Sequence, residues 1–183
     1  ARTAAPAGCN IATAAVQLED GDTLAFGGEQ IRTLHTPGHT AGGMCYLWRD
    51  HVFTGDTLLI NGCGRTDFQQ GSPTRLYRSV HDQILSLPEA CLLYPAHDYR
   101  GITVTSVMEE KRFNPRLGGD VNESDFVGYM NHLGLPHPKL MDIAVPANLR
   151  CGQPDGHAVP PQEPSWAPLT FTFSGVWEIE PLN

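Results

Sequence analysis

The stretch His51-Val52-Phe53-Thr54-Gly55-Asp56-Thr57 decides the fold. Val52 and Phe53 form a short apolar run that stops at Gly55, so the segment reads as a strand whose end delivers the carboxylate of Asp56. Gly55 is expected to let the backbone pack closely, and Thr57 to hydrogen-bond the carboxylate. The device recurs at Cys91-Leu92-Leu93-Tyr94, a short buried strand followed by Pro95, Ala96 and His97. Two side chains of metal-ligand type thus emerge at strand ends, where a sheet fixes a donor better than a free loop does.

Toward the N-terminus, residues 23–48 read as short strands punctuated by turn residues. Ile31, Thr33 and His35 alternate with Arg32 and Leu34, and Met44 to Trp48 is a second apolar run. Between them, Thr36-Pro37-Gly38-His39-Thr40 sets two turn formers ahead of His39 and presents its imidazole from a loop. His35 and His39 would form a chelating pair on a helix, but Pro37 and Gly38 exclude one.

Toward the C-terminus the elements become helical. Ser72 is suited to cap a helix, Pro73 to its first position, and Leu76, Val80 and Ile84 recur four apart on one face until the helix ends near Pro88. Helices are also expected over 104–113 and 124–133, the latter capped by Ser124 with Phe126, Val127, Met130 and Leu133 inward. Strands first, then strand and helix alternating, indicate an α/β class. Between Gly152 and Pro168, Pro154, Pro160, Pro161, Pro164 and Pro168 mark a linker, and residues 169–179 alternate like the opening strand of another domain. The expected division is a domain over 1–151, a linker over 152–168 and the start of a second domain over 169–183.

Composition narrows the function classes. The net charge is −8, from 20 acidic and 12 basic residues with no run of Lys or Arg, which argues against a nucleic-acid partner. No apolar run approaches the ~20 residues of a bilayer span. Five scattered cysteines read as free thiols in a reducing compartment. Cys63 and Cys151 adjoin glycines, where either could line a pocket, although a structural role is expected of both. His51, His81, His132, His137 and His157 fall in turns, helix faces or the linker and are assigned no role.

In chain order, TPGHT (36–40), FTGDTL (53–58), GCGRTDFQQG (62–71) and YPAHDY (94–99) resemble the metallo-β-lactamase superfamily. The glyoxalase II branch shares the first, second and fourth of these. GRTDFQQG (64–71), NPR (114–116) and PANLRCG (146–152) resemble the persulfide dioxygenases, and the resemblance runs from about Asp20 to Gly152. It implies an αβ/βα sandwich, here without its N-terminal part, and a mononuclear Fe(II) centre, with zinc as the alternative metal. Two histidines and one carboxylate would hold the metal, His39 and Asp56 among them. His97 and Asp98 are the implied catalytic residues, with His97 orienting groups beside the iron. Arg65, Tyr99 and Arg116 would bind the substrate, with residues 148–150 as further candidates.

The implied activity is oxidation of glutathione persulfide by dioxygen to sulfite and glutathione. Members carry an upstream HisXHisXAspHis motif that supplies the other histidine. No HisXHis occurs in this chain, whose first residues resemble the segment just downstream of that motif. Residues 166–181 resemble the connection into a rhodanese domain. Two alternatives stand beside this reading: a glyoxalase II-like thioester hydrolase with a binuclear site, and a non-catalytic thiol- or partner-binding remnant. A homodimer is left open, and the expected location is bacterial cytoplasm or, in a eukaryote, the mitochondrial matrix.

Overall fold

The computed structural model describes residues 3–11, 14–68 and 70–149, together with two short strands near the C-terminus. The chain divides into two compact units, Ala1–Gly152 and Gln153–Asn183. The first opens with a parallel pair, β1 (Ala4–Pro6) and β2 (Val16–Leu18). Its main feature is a six-stranded sheet in the order β3 (Thr23–Phe26), β4 (Glu29–His35), β5 (Met44–Trp48), β6 (His51–Gly55), β7 (Leu92–Pro95) and β8 (Thr105–Ser106).

Strands β3 to β6 form an antiparallel meander, whereas β7 pairs in parallel with β6, setting Val52 opposite Leu93 and Phe53 opposite Tyr94. A parallel neighbour requires a crossover connection, and α1 (Pro73–Ser79) lies within it. This topology makes the site. Strands β4, β6 and β7 run in one direction, so the segments leaving their carboxyl ends, with His39, Asp56 and His97, gather at one end of the sheet.

Alternation decides which face is buried. Leu34, Cys45, Val52, Thr54 and Leu93 are buried on one face, and the apolar ones join a core with Leu76, Val80 and Ile84 of the crossover and with Phe126 and Met130. Each fully buried Leu or Ile contributes about 1.5–3 kcal/mol by leaving water. The opposite face carries a row of ring contacts, Phe26 to Trp48, Trp48 to His51, His51 to Tyr94 and Tyr94 to Phe53, with Phe26 and Phe53 exposed.

Ser72 caps α1 as expected, its hydroxyl accepting the N–H of Arg75 at 3.3 Å, with Pro73 at the first position. The helix then widens through Val80–Ile84, where Leu85 N–H reaches back to the Val80 carbonyl at 2.8 Å, and this keeps Leu76, Val80 and Ile84 all inward. Helix α2 (Val107–Phe113) begins later than its sequence pattern suggests, because Thr105 and Ser106 pair with β7 and the Ser106 hydroxyl caps the helix. Helix α3 (Glu123–Asn131) is capped by Asn122 rather than Ser124. The Asn122 amide oxygen accepts the N–H of Asp125 at 3.0 Å, which places Ser124 inside the first turn.

Helix α4 (Met141–Asn148) is not apparent from the sequence, since Pro146 lies within it and it buries none of its residues. Among the described residues, Cys9, Cys45, Cys63 and Cys91 are free thiols, and no helix is long and apolar enough to cross a membrane. Arg150, Cys151, His157 and the expected linker lie outside the described residues. In the second unit, β9 (Thr172–Phe173) and β10 (Trp177–Glu178) pair antiparallel.

Candidate metal centre

Asp56 stands between two imidazoles. Nε2 of His39 lies 3.6 Å from one carboxylate oxygen and Nδ1 of His97 lies 2.6 Å from the other. The Nδ1 of His39 is 2.7 Å from the carbonyl oxygen of Arg65, and because a carbonyl only accepts, Nδ1 must carry the proton. A neutral His39 in this tautomer therefore turns the Nε2 lone pair toward the Asp56 carboxylate. Two acceptors facing each other have nothing to share unless a cation lies between them, so this donor pair fits a metal ion. Among the described residues, no three His, Cys, Asp or Glu side chains are grouped to enclose an ion.

The two turns that carry these donors are fastened from beneath. The Thr36 and Thr57 hydroxyl oxygens lie 3.1 Å apart, Thr36 also contacts the Cys45 thiol at 3.2 Å, and the thiol donates to the Thr54 carbonyl at 3.4 Å. Burial pushes the Cys45 thiol up to about 11, so it keeps its proton. Thr57 thus joins the His39 turn rather than bonding the Asp56 carboxylate as expected, because its side chain points into the core. Gly55 adopts a φ of 54°, and nothing lies within 4 Å of where its Cβ would be. Its role is conformational, not the close packing expected of it.

Close packing belongs to Gly64, to which the sequence pattern assigned no role. Its N–H donates to the Asp56 carbonyl at 2.9 Å, and a Cβ there would lie 2.2 Å from that oxygen and 2.9 Å from His39 Nδ1. The glycines flanking Cys63 were the available signal. Nearby, Glu110 and Asn114 are buried and secure the same loop. Glu110 accepts the N–H of Asn61 and the amide of Asn114, at 3.0 and 2.7 Å, and Asn114 also donates to the Gly62 carbonyl at 3.1 Å. Burial raises the Glu110 carboxyl above its ordinary range.

The donors open into a cleft of about 900 Å³, whose lining includes Cys63, Arg65, Tyr99, Arg116 and residues of α4. Cys63 is also packed in the core, 3.9 Å from the Met130 sulfur. Arg116 reaches the Cys63 carbonyl at 3.4 Å and lies over the Tyr129 ring. Tyr99 is 89% exposed, with its ring parallel to that of His97. Asp98 also faces the cleft, but one of its carboxylate oxygens accepts the N–H groups of Ile102 and Arg100 at 2.7 and 2.8 Å. These bonds, the one from Ile102 foremost, hold its carboxyl below the usual range, and they order the loop after His97.

Arg65, expected to take a substrate carboxylate, grips Asp67 in a bidentate pair with both contacts at 2.7 Å. The pair holds the Asp67 carboxyl below its ordinary range. Asn148 lines the cleft, and Arg150 lies outside the described residues. The Nε2 of His35 is 3.3 Å from the Ala41 carbonyl and takes no part in the site.

Known proteins resemble this chain in sequence and in fold. The mitochondrial persulfide dioxygenase ETHE1 of Homo sapiens is 52% identical over 143 residues, covering 77% of this chain and 56% of that protein. A probable metallo-hydrolase of Burkholderia pseudomallei is 40% identical over 155 residues, covering 74% of this chain and 52% of that one. The crystal structure of ETHE1 from Myxococcus xanthus superposes with a TM-score of 0.81 at 46% identity, covering 84% of this chain and 67% of that chain. The chain spans about half the length of the curated relatives it matches. The sequence profile of the metallo-beta-lactamase superfamily matches residues 6–97, from the first strand to the last of the three convergent side chains, and the chain belongs to that superfamily.

Proposed function

We propose that this chain carries the catalytic cleft of an iron-dependent persulfide dioxygenase. The observation that carries the reading is identity at about half of the positions with curated persulfide dioxygenases, over about three quarters of this chain. The reaction would be GSSH + O₂ + H₂O → GSH + SO₃²⁻ + 2H⁺, in which the terminal sulfur loses four electrons and dioxygen gains them. His39, through Nε2, and Asp56 would hold the metal, with a further histidine from a HisXHisXAspHis segment that this sequence does not contain. A ferrous ion supplies the one-electron chemistry that lets triplet dioxygen react with a closed-shell sulfur compound.

The chain's own residues have separate tasks. The Arg65 carbonyl keeps the proton of His39 on Nδ1. His97 keeps a proton on Nδ1 and donates it to Asp56, which orients the carboxylate and leaves Nε2 as an acceptor. Arg116 offers a guanidinium to an anionic substrate, and Tyr99 gives it an aromatic edge at the mouth. The human and bovine relatives are mitochondrial by name and the Myxococcus xanthus one is bacterial, so both expected locations stay with the proposal.

One observation favours a second reading. Asp56 faces both His39 and His97, an arrangement that also suits a carboxylate shared by two metals in a thioester hydrolase. Metal analysis with oxygen uptake on glutathione persulfide separates the two, using the chain alone and joined to a HisXHisXAspHis segment. One iron per chain with sulfite release is expected. Two zinc ions with thioester cleavage and no oxygen uptake would overturn the proposal.

A further inference from the structure

We infer that Arg65 is a positioning residue: with Asp67 it forms a clasp that holds the far wall of the cleft against the His39 turn, and it does not receive the substrate's carboxylate. Substrate binding and metal ligation by His39 rest on the proposed function; the clasp does not.

The guanidinium has five N–H donors in a planar fork. Nε and Nη2 bind the two Asp67 oxygens, Nη2 also reaches the Leu135 carbonyl at 3.2 Å, and Nη1 reaches the Pro136 carbonyl at 2.9 Å. One N–H remains, so the group has no second parallel donor for another carboxylate. One face of the group lies 4.3 Å from the Phe68 ring centre, and only 15% of the side chain is exposed. The charge is already balanced by Asp67.

What the clasp holds has few other attachments, the edge contact of His137 with the Phe68 ring at 5.2 Å among them. Residues 134–149 supply the cleft wall from Leu135 to Asn148, yet α4 buries none of its residues, and Leu140, Ile143 and Leu149 are exposed. Among the described residues, the two Arg65 contacts are the only hydrogen bonds that join this segment to the rest of the unit. The carbonyl of the same Arg65 accepts the proton of His39 Nδ1. One residue therefore ties the wall, through its side chain, to the tautomer of a metal-ligand histidine, through its backbone. A lysine, with one compact ammonium group, could not reproduce the four bonds.

The test is amide hydrogen exchange on the intact chain, with Arg65→Ala, Arg65→Lys, Asp67→Ala and the Arg65→Ala/Asp67→Ala pair. This readout needs neither metal nor substrate, so it stands even if the proposed reaction fails. Asp67 is half exposed, which keeps its variant interpretable if the arginine variants do not fold. Each single substitution is expected to speed exchange across 135–148 by about tenfold, leave the strands unchanged and leave the double variant no worse than Arg65→Ala. Steady-state kinetics on the iron-loaded protein should then show Asp67→Ala impaired in the same sense as Arg65→Ala. Unchanged exchange in Asp67→Ala, or a lower KM for the persulfide there against a higher one in Arg65→Ala, would overturn the clasp and return Arg65 to substrate binding.

Discussion

The two imidazoles that flank Asp56 live in different surroundings. His39 is 28% exposed and held at three points: its Nδ1 by the Arg65 carbonyl, its ring by the Gly64 backbone, its turn by Thr36 and Thr57. His97 is 54% exposed, held to Asp56 by one hydrogen bond and stacked only on an exposed tyrosine. A donor that must hold an ion gains from preorganisation, because a ligand already aimed loses little freedom on binding. A group that meets arriving reactants needs room. The contrast teaches that one end of the sheet carries a fixed half and an open half, joined through a single carboxylate.

The largest expected effect tests the fixed half. His39→Ala should lower iron affinity by more than the ~10–100-fold that loss of an outer hydrogen-bond partner costs, as read by metal titration; wild-type affinity would show that the fixed half is not a metal site. Gly64→Ala comes next. Its Cβ must push either the Asp56 carbonyl or the His39 ring aside, so a stability loss of about 1–3 kcal/mol in denaturant melts should come with weaker metal binding.

On the open half, His97→Gln should leave the melting curve unchanged, weaken iron binding by no more than the ~10–100-fold of a lost outer hydrogen-bond partner, and lower kcat by about tenfold. An affinity loss as large as that of His39→Ala would make His97 a ligand and erase the contrast. Tyr99→Ala should alter stability by no more than ~0.5 kcal/mol, with any kinetic effect confined to KM.

The smallest effect concerns pH. Arg65 depresses the folded-state carboxyl of Asp67, so the stability this pair adds is present above the carboxyl's unfolded pKa and is lost as pH falls through the lower folded one. The melting-temperature difference between wild type and Asp67→Ala should be constant near neutrality and shrink only in acid. A difference that instead grew in acid would assign the shift to another partner.

Much of this was legible in the sequence because it depends on neighbours along the chain. Alternation and turn residues outlined β4, β5, β6 and β7, four-residue spacing outlined the helix from Pro73, and Gly55-Asp56 and Pro37-Gly38-His39 marked donors at strand ends. Less legible was anything whose partner lies far away. The inward turn of Thr57 toward Thr36 depends on packing that no local window displays, whereas the Asn122 cap is a local choice between two good capping residues and the helix that contains Pro146 buries no face whose pattern could reveal it.

By itself, then, the sequence determined the set of donors and the strands that carry them, since residue type and period are local properties. Tertiary structure alone decided their use. The parallel pairing of β6 with β7 set Asp56 beside His97, the approach of Gly64 aimed His39, and the contacts of Arg65 with Asp67, Leu135 and Pro136 took up an arginine that the motif left free for substrate. A side chain has a fixed number of donors and acceptors, and only the folded chain determines which partners satisfy them.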